Sequence, residues 1–378
     1  MPWSSSALTV LVVLVLATPA KAAAIGFTEL PAPPGSAAAI VSVLNEAGQA
    51  AGSGWTPPAR PYYPGTLRAV RWDGPTPTVV AGGHAVGINA RGDVLTSLVT
   101  KEGGAQVSYV DLWSDGQVVD RTPRRGSGAM SVRDLGDSGV VPLGYNNLDD
   151  PAFGGNDRAG AWRQGVFADV PVSPQGPSAD HRVANAKGST AGSRTAVEAA
   201  NTFAFRCSAT NCTRLPAAGE ADYYTVAAVN ESDSVAATWS VAATTRAVVW
   251  VADRPTVLPG GDAGVSDNTR AINEDGDVVG WVEEDGVRRA ALWRHGELVD
   301  LGTSGQGEAV AVNDRGDVVG WHAVGGAPRP FHWRAGVLTT LPTPDDLPAK
   351  AVAVNNAGVV VGGTLYRDNS RAFRWTLP

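Results

Sequence analysis

Five histidines, three neighbouring aspartates and a short aromatic stretch are the residues of this sequence that could do chemistry. His84, His181, His295, His322 and His332 are what a general base or a zinc ion would recruit, because imidazole titrates near neutrality and ligates metals. None are spaced as His-Glu-x-x-His, so no metal is assigned, and no cofactor. Asp149, Asp150 and Asp157 gather hard oxygen ligands in one segment, a candidate cation site. The alternating carboxylates and glycine of a calcium loop are missing, so a solvated acidic loop is the favoured reading. Trp55, Tyr62 and Tyr63 stand among prolines and offer planar apolar faces of the kind on which sugars stack. The bland alternative, rings that only cover the end of their own sheet, is favoured over that binding role. No Gly-x-Ser-x-Gly elbow or phosphate loop is present, and no catalytic residue is nominated. Paired carboxylates that converge from separate segments, as in glycoside-cleaving enzymes, would escape a search by spacing.

The chain of 378 residues is 43% hydrophobic, enough for a sizeable core, and carries 45 glycines and 26 prolines. That punctuation predicts many short strands joined by tight turns and few helices. The net charge of −7 argues against nucleic acid as a partner, because phosphate binding needs a positive patch. Lysine occurs only at Lys21, Lys101, Lys187 and Lys350 while arginine and alanine abound, the bias of a GC-rich bacterial genome. Residues 7–20 form an apolar run too short to span a bilayer, and Ala20-Lys21-Ala22 has the small-x-small pattern of a cleavage site. The expectation is therefore a leader at 1–22 and a secreted mature domain at 23–378, periplasmic if the source has an outer membrane, with no transmembrane segment. One departure is that no Lys or Arg precedes the apolar run.

Self-similarity organises the rest. The unit Asn-x-x-Gly, usually with a further Gly four residues on, recurs at Asn273, Asn313 and Asn355, more loosely at Asn45, Asn89, Asn185 and Asn230, and in degenerate form at Gly136. The intervals of 40–49 residues match four-stranded propeller blades. In the sixth repeat the predicted strands are 269–273, 277–282, 289–294 and 297–301, with Asn-x-x-Gly as the first hairpin turn. The acidic turn at Asn273-Glu274-Asp275-Gly276-Asp277 is such a hairpin rather than a calcium loop. A small residue two before the anchor, as at Gly87, Ala228, Ala271, Ala311 and Ala353, suits an innermost strand crowded around an axis.

A tryptophan followed by a turn is the second mark of each repeat: Trp72, Trp113, Trp162, Trp250, Trp293, Trp333 and Trp375. In the fourth repeat Cys207 stands at that position and Cys212 falls across the following turn. These are the only cysteines, and in an exported protein they predict one disulfide stapling a hairpin. The N-terminal stretch Phe27-Thr-Glu-Leu30-Pro31 resembles the fourth strand at Leu338-Thr-Thr-Leu341-Pro342, and the last repeat stops after its third. The expected fold is thus an all-β, eight-bladed propeller of four-stranded antiparallel blades, closed by the N-terminal strand pairing into the last blade.

The run before the tryptophan resembles the extracellular HAF-repeat proteins, with arginine at the histidine position: Arg68-Ala69-Val70-Arg71-Trp72, Arg246-Ala247-Val248-Val249-Trp250, Arg289-Ala290-Ala291-Leu292-Trp293 and Arg371-Ala372-Phe373-Arg374-Trp375. Arg158 and Arg329 hold the same place. The resemblance covers the whole mature chain and implies an exported repeat protein, with no particular activity. Repetition in every sector makes these arginines scaffold, with a ring of anion sites as the sharper alternative. Function is expected on the face carrying the longest connections, 54–66 and 146–157. The leading expectation is a non-catalytic extracellular recognition module, a monomer binding a glycan or a cell-surface protein. A propeller enzyme acting on a polysaccharide, hydrolase or lyase, and a structural envelope protein are the alternatives.

Overall fold

The computed structural model describes residues 24–58, 65–102, 105–122, 130–146, 157–163, 165–169, 179–195, 202–208, 211–219, 223–364 and 369–378. The predicted leader at 1–22 lies outside these residues. Each repeat starts from its Asn turn. The Gly48 N–H donates to the Asn45 carbonyl, and Gly316 to Asn313, each glycine at a φ near +80° that a side chain would resist. The turn folds the first strand onto the second, and two further hairpins complete an antiparallel sheet.

The described strands make eight four-stranded sheets, numbered here in the chain order of their Asn turns. In the eighth, Ala349–Val354, Val359–Thr364 and Ala372–Thr376 are joined at the outer edge by Gly26–Leu30, which sets Phe27 opposite Trp375. Apolar clusters run from sheet to sheet without a gap between neighbours such as five, six and seven, seven and eight, or eight and one. The last sheet therefore packs on the first, and the innermost strands surround an axis.

Two devices recur between neighbouring sheets. A buried indole must find an acceptor for its N–H, and Trp72, Trp250, Trp293 and Trp375 donate to the carbonyls of Pro31, Pro216, Pro259 and Pro342 at 2.7–2.9 Å. Each of those prolines follows the outermost strand of the preceding sheet, next to a buried leucine: Leu30, Leu215, Leu258 or Leu341. The second device is the anchor asparagine, read from sequence only as a turn residue. Its Oδ1 accepts the N–H four positions on, as from Asp317 to Asn313, while its Nδ2 donates to the carbonyl of the next anchor. Asn185 reaches Asn230, Asn230 reaches Asn273, then Asn313, Asn355 and Asn45, which in turn reaches Asn89, at 2.8–3.1 Å.

The ladder breaks at sheet three, where glycine replaces asparagine. A Cβ on Gly136 would lie 2.7 Å from the Asn185 carbonyl, so the close approach of the fourth turn excludes a side chain there. Asp134 takes over, accepting the Ala184 N–H of sheet four at 2.9 Å.

The sequence-based strands need correction in the sixth repeat. Its innermost strand is Asp262–Val265, not 269–273, and the Asn273 turn is tied to the sheet only by a single bridge between Ile272 and Val278. Val265 lies opposite Gly280, eight positions before the anchor, whereas Ala309 lies opposite Gly320 only four before Asn313. The even repeat is thus interrupted by four extra residues, and periodicity alone placed the strand on the insertion.

The disulfide joins Cys207 to Cys212 across the outer hairpin of sheet four, where the two residues face each other in register. The repeated arginines serve the scaffold: Arg68 donates to Pro34, Arg246 to Gly261 and Arg329 to Asp346, all backbone carbonyls of segments linking sheets, and Arg371 pairs with Glu29. The side chain of Arg158 lies outside the described residues.

Removing one rung of the ladder strands a buried N–H and a buried C=O, each costing about 1–3 kcal/mol. Asn313→Ala is therefore expected to lower the unfolding free energy in urea by about 2–4 kcal/mol. Asn313→Asp keeps the acceptor but sets a carboxylate against the Asn355 carbonyl, and should cost at least as much.

Candidate functional site

Counting three residues back from each anchor gives one position per repeat on the inner side of the blades, and at Ser42, Val86, Arg133, Arg182, Ala227 and Arg270 it lines the axial cavity. In five sheets it is small or aliphatic: Ser42, Val86, Ala227, Val310 and Val352. In sheets three, four and six it is Arg133, Arg182 and Arg270. The six-residue stretch 266–271, which contains the insertion, projects among them. Its folding is local: Asn268 Oδ1 accepts the Arg270 N–H at 2.9 Å, and the Ala271 N–H donates to the Asn268 carbonyl. From there it reaches across the ring. Asp267 accepts from Arg133 at 2.5 Å and lies 3.1 Å from Arg182, and Asn268 Nδ2 donates to the Val352 carbonyl at 2.8 Å. Arg270 donates to Glu46 at 2.6 Å and to the Leu44 carbonyl. The cavity at the axis measures about 580 Å³, and Arg133, Arg182, Asp267 and Arg270 are among its walls.

At the Asn-turn end the axis is ringed by the side chains that follow the anchors. Glu231 accepts the Ala186 N–H, Glu274 that of Glu231, Asp314 that of Glu274, Asn356 that of Asp314 and Glu46 that of Asn356, at 2.6–3.0 Å. Asp137 accepts the Ala90 N–H at 2.5 Å. These carboxylates look like an acidic mouth but are a second belt binding turn to turn. Among the described residues, no group of three or more His, Cys, Asp and Glu could hold a metal ion.

The titratable groups nearer the axis are also committed. Asp134 accepts N–H groups from Leu135 and Ala184, and burial pushes its carboxyl up to about 6 against those bonds. Asp317 is fully buried, and although burial opposes its charge, hydrogen bonds from His332, Asn313 and Arg315 hold it well below the usual carboxylate range. Ser53 Oγ lies 3.1 Å from His84 Nδ1, a serine–histidine pair in form, but Ser53 is fully buried and offers no accessible nucleophile. His181 lies between sheets three and four, its Nδ1 2.8 Å from the Gly160 carbonyl, and burial lowers its imidazole to about 4. His295 sits in a hairpin turn, and His322 is buried against Phe331.

No family model matches the chain, and no curated protein matches it. Among solved structures, the β-propeller domain of the trilobed protease from Pyrococcus furiosus, described as having an open Velcro topology, superposes with a TM-score of 0.53. The two share 11% identity, over 82% of this chain and 98% of that one. The chain has the β-propeller fold. A puromycin-hydrolyzing peptidase of Mycobacterium tuberculosis gives 0.49 at 12% identity, over 88% of this chain and 59% of that one. TolB from Acinetobacter baumannii gives 0.39 at 14%, over 66% and 65%. At these identities the likeness speaks for the fold alone.

The propeller does not bring the sequence-predicted site residues together in its described part. Trp55 is half-buried on the second strand of blade one, opposite Ala38 and Leu67. The chain at Gly65 packs so closely on its indole that a Cβ there would come within 2.4 Å of Nε1. Tyr62, Tyr63, Asp149 and Asp150 lie outside the described residues. Asp157 opens the strand Asp157–Arg163 opposite Asn146, and its side chain too lies outside them. Sequence reading missed three further indoles, Trp239, Trp281 and Trp321, half-buried like Trp55 on second strands. The signal was available, since none of them occupies the repeated tryptophan position. Trp281 and Trp321 carry cations on their faces, Arg288 at 4.0 Å and Lys350 at 3.6 Å. The arginines at the axis were missed as well; their departure from the repeat was the signal.

The pH response of two groups runs in opposite senses. His181 stays neutral in the fold down to about pH 4, while an unfolded histidine protonates near 6.5, so stability present above 6.5 is lost as pH falls toward 4. His181 alone should account for about 3 kcal/mol of that loss, and His181→Phe should shrink it when urea unfolding is compared at the two ends of this range. Asp134, raised to about 6, destabilises the fold as pH climbs from the ordinary carboxylate range through that value.

Proposed function

We propose that this propeller is an exported, non-catalytic recognition module, a monomer that binds an extracellular ligand through the face opposite the Asn turns and the adjoining channel. The contrast between the two rims carries this reading. On the Asn-turn rim, backbone amides and side chains are spent on one another in two belts, which leaves a regular and self-satisfied surface. The longest connections, 54–66 and 146–157, join second strands to third strands and so leave from the other end of the blades, while the insertion in blade six departs from the repeat inside the channel. A catalytic reading has less support: Asp134, Asp267, Glu46 and Asp317 are each held by backbone amides or guanidinium groups, which suits structural charges better than an acid–base pair. Kinship with the extracellular HAF-repeat proteins is part of the same reading. It is supported by the Arg-Ala-x-x-Trp runs, whose arginines bind linking segments, as Arg68 and Arg246 do, or acids of their own blade, as Arg289 and Arg371 do.

A glycan or a cell-surface protein is the expected ligand class. The test is binding of residues 23–378 to a glycan array and to envelope extracts. Trp55→Ala should weaken whatever binding is found by about tenfold or more, a hot-spot-sized effect, while Asp275→Ala on the opposite rim should leave it unchanged. Equal loss in both variants, or binding abolished only by Asp275→Ala, would move the site to the other face.

A further inference from the structure

The cross-channel contact of Asp267 has the form of an occupied ligand site. Arg133 and Arg182 come from neighbouring blades and converge on one carboxylate delivered from blade six, at 2.5 and 3.1 Å. Arg182 is only 6% exposed, and a guanidinium so buried is costly without an anion. Asp180 supplies one partner, 3.0 Å from Nε, and Asp267 the other. Arg133 and Asp267, in contrast, are 47% and 54% exposed, so the outer half of the contact is open. Solvent and small solutes can reach it through the channel cavity of about 580 Å³.

The contact is also surplus to the scaffold. Blade six is already tied to its neighbours by Asn273, which donates to the Asn313 carbonyl, and by Trp293, which donates to that of Pro259. The two arginines and the four-residue insertion are departures from the repeat that close on one another. Departures of this kind are expected where function overrides consistency.

We infer that the channel is a carboxylate-binding site in which Asp267 stands as an internal ligand, displaced when a small carboxylate enters between Arg133 and Arg182. Planar guanidinium groups match a two-oxygen carboxylate, and an entering carboxylate replaces at the two arginines the one that Asp267 withdraws. Arg270 takes no part, being held by Glu46 and the Leu44 carbonyl. This inference deepens the recognition role proposed above and rests on the channel being part of the binding surface.

An internal ligand lowers apparent affinity by the fraction of molecules whose arginines are free. Calorimetric titration with malonate at neutral pH and low salt should therefore show weak binding to the wild-type chain and binding at least about tenfold tighter to Asp267→Asn. The gain should vanish in Asp267→Asn combined with Arg133→Gln. Asp267→Asn binding no tighter than wild type, a gain that survives Arg133→Gln, or inorganic phosphate binding more tightly than malonate would each overturn the assignment. Should Asp267→Asn not fold, the wild-type chain carries the test. Malonate up to about 100 mM must raise its unfolding temperature and must fail to do so in Arg133→Gln; no rise in the wild type overturns the inference. Loss of this site with binding at Trp55 intact would leave the recognition role standing.

Discussion

A single amide side chain, used once per repeat, sets the geometry on which the rest of this propeller depends. Buried backbone groups in a turn must be satisfied, and the anchor asparagine can satisfy two sides at once because it carries an acceptor and a donor on one planar group. Its oxygen closes its own turn and its nitrogen caps the next. The repeat spacing then becomes a distance between neighbouring turns, and the turns must form an arc. Where the pattern fails, at Gly136, the neighbouring backbone has moved into the space of the missing side chain and Asp134 supplies the link from the adjacent position.

The outer part of four blades follows a second rule of the same kind. In blades one, five, six and eight a buried tryptophan sends its N–H to the proline carbonyl that ends the blade before. Sheet-on-sheet packing is non-directional, and these bonds give it a direction and a register. In blade four the tryptophan is absent, and a covalent bond between Cys207 and Cys212 holds the hairpin instead.

Regular ties of this sort leave little polar surface free at the Asn-turn rim. The acidic residues after the anchors illustrate the point: by composition they suggest a cation site, but each is consumed by a neighbouring turn amide. Blade six is where the pattern is set aside. Four extra residues there bring an aspartate, an asparagine and an arginine to the axis, and the partners they meet belong to blades one, three, four and eight.

The all-β propeller character was legible because turn and tryptophan recur at one period, and the hairpin disulfide because two cysteines flank a turn. The innermost strand of blade six was misplaced because Thr269, Arg270 and Ala271 continue the local pattern while the chain there leaves the sheet. Sequence by itself determined what depends on neighbours along the chain: which residues turn, most of those that alternate into strands, and the departures at Gly136 and Cys207. Tertiary structure decided what depends on residues far apart in number. It paired Asp267 with Arg133 and Asn355 with Asn45, because a ring brings distant segments to a common axis and a linear pattern holds no record of what lies across it.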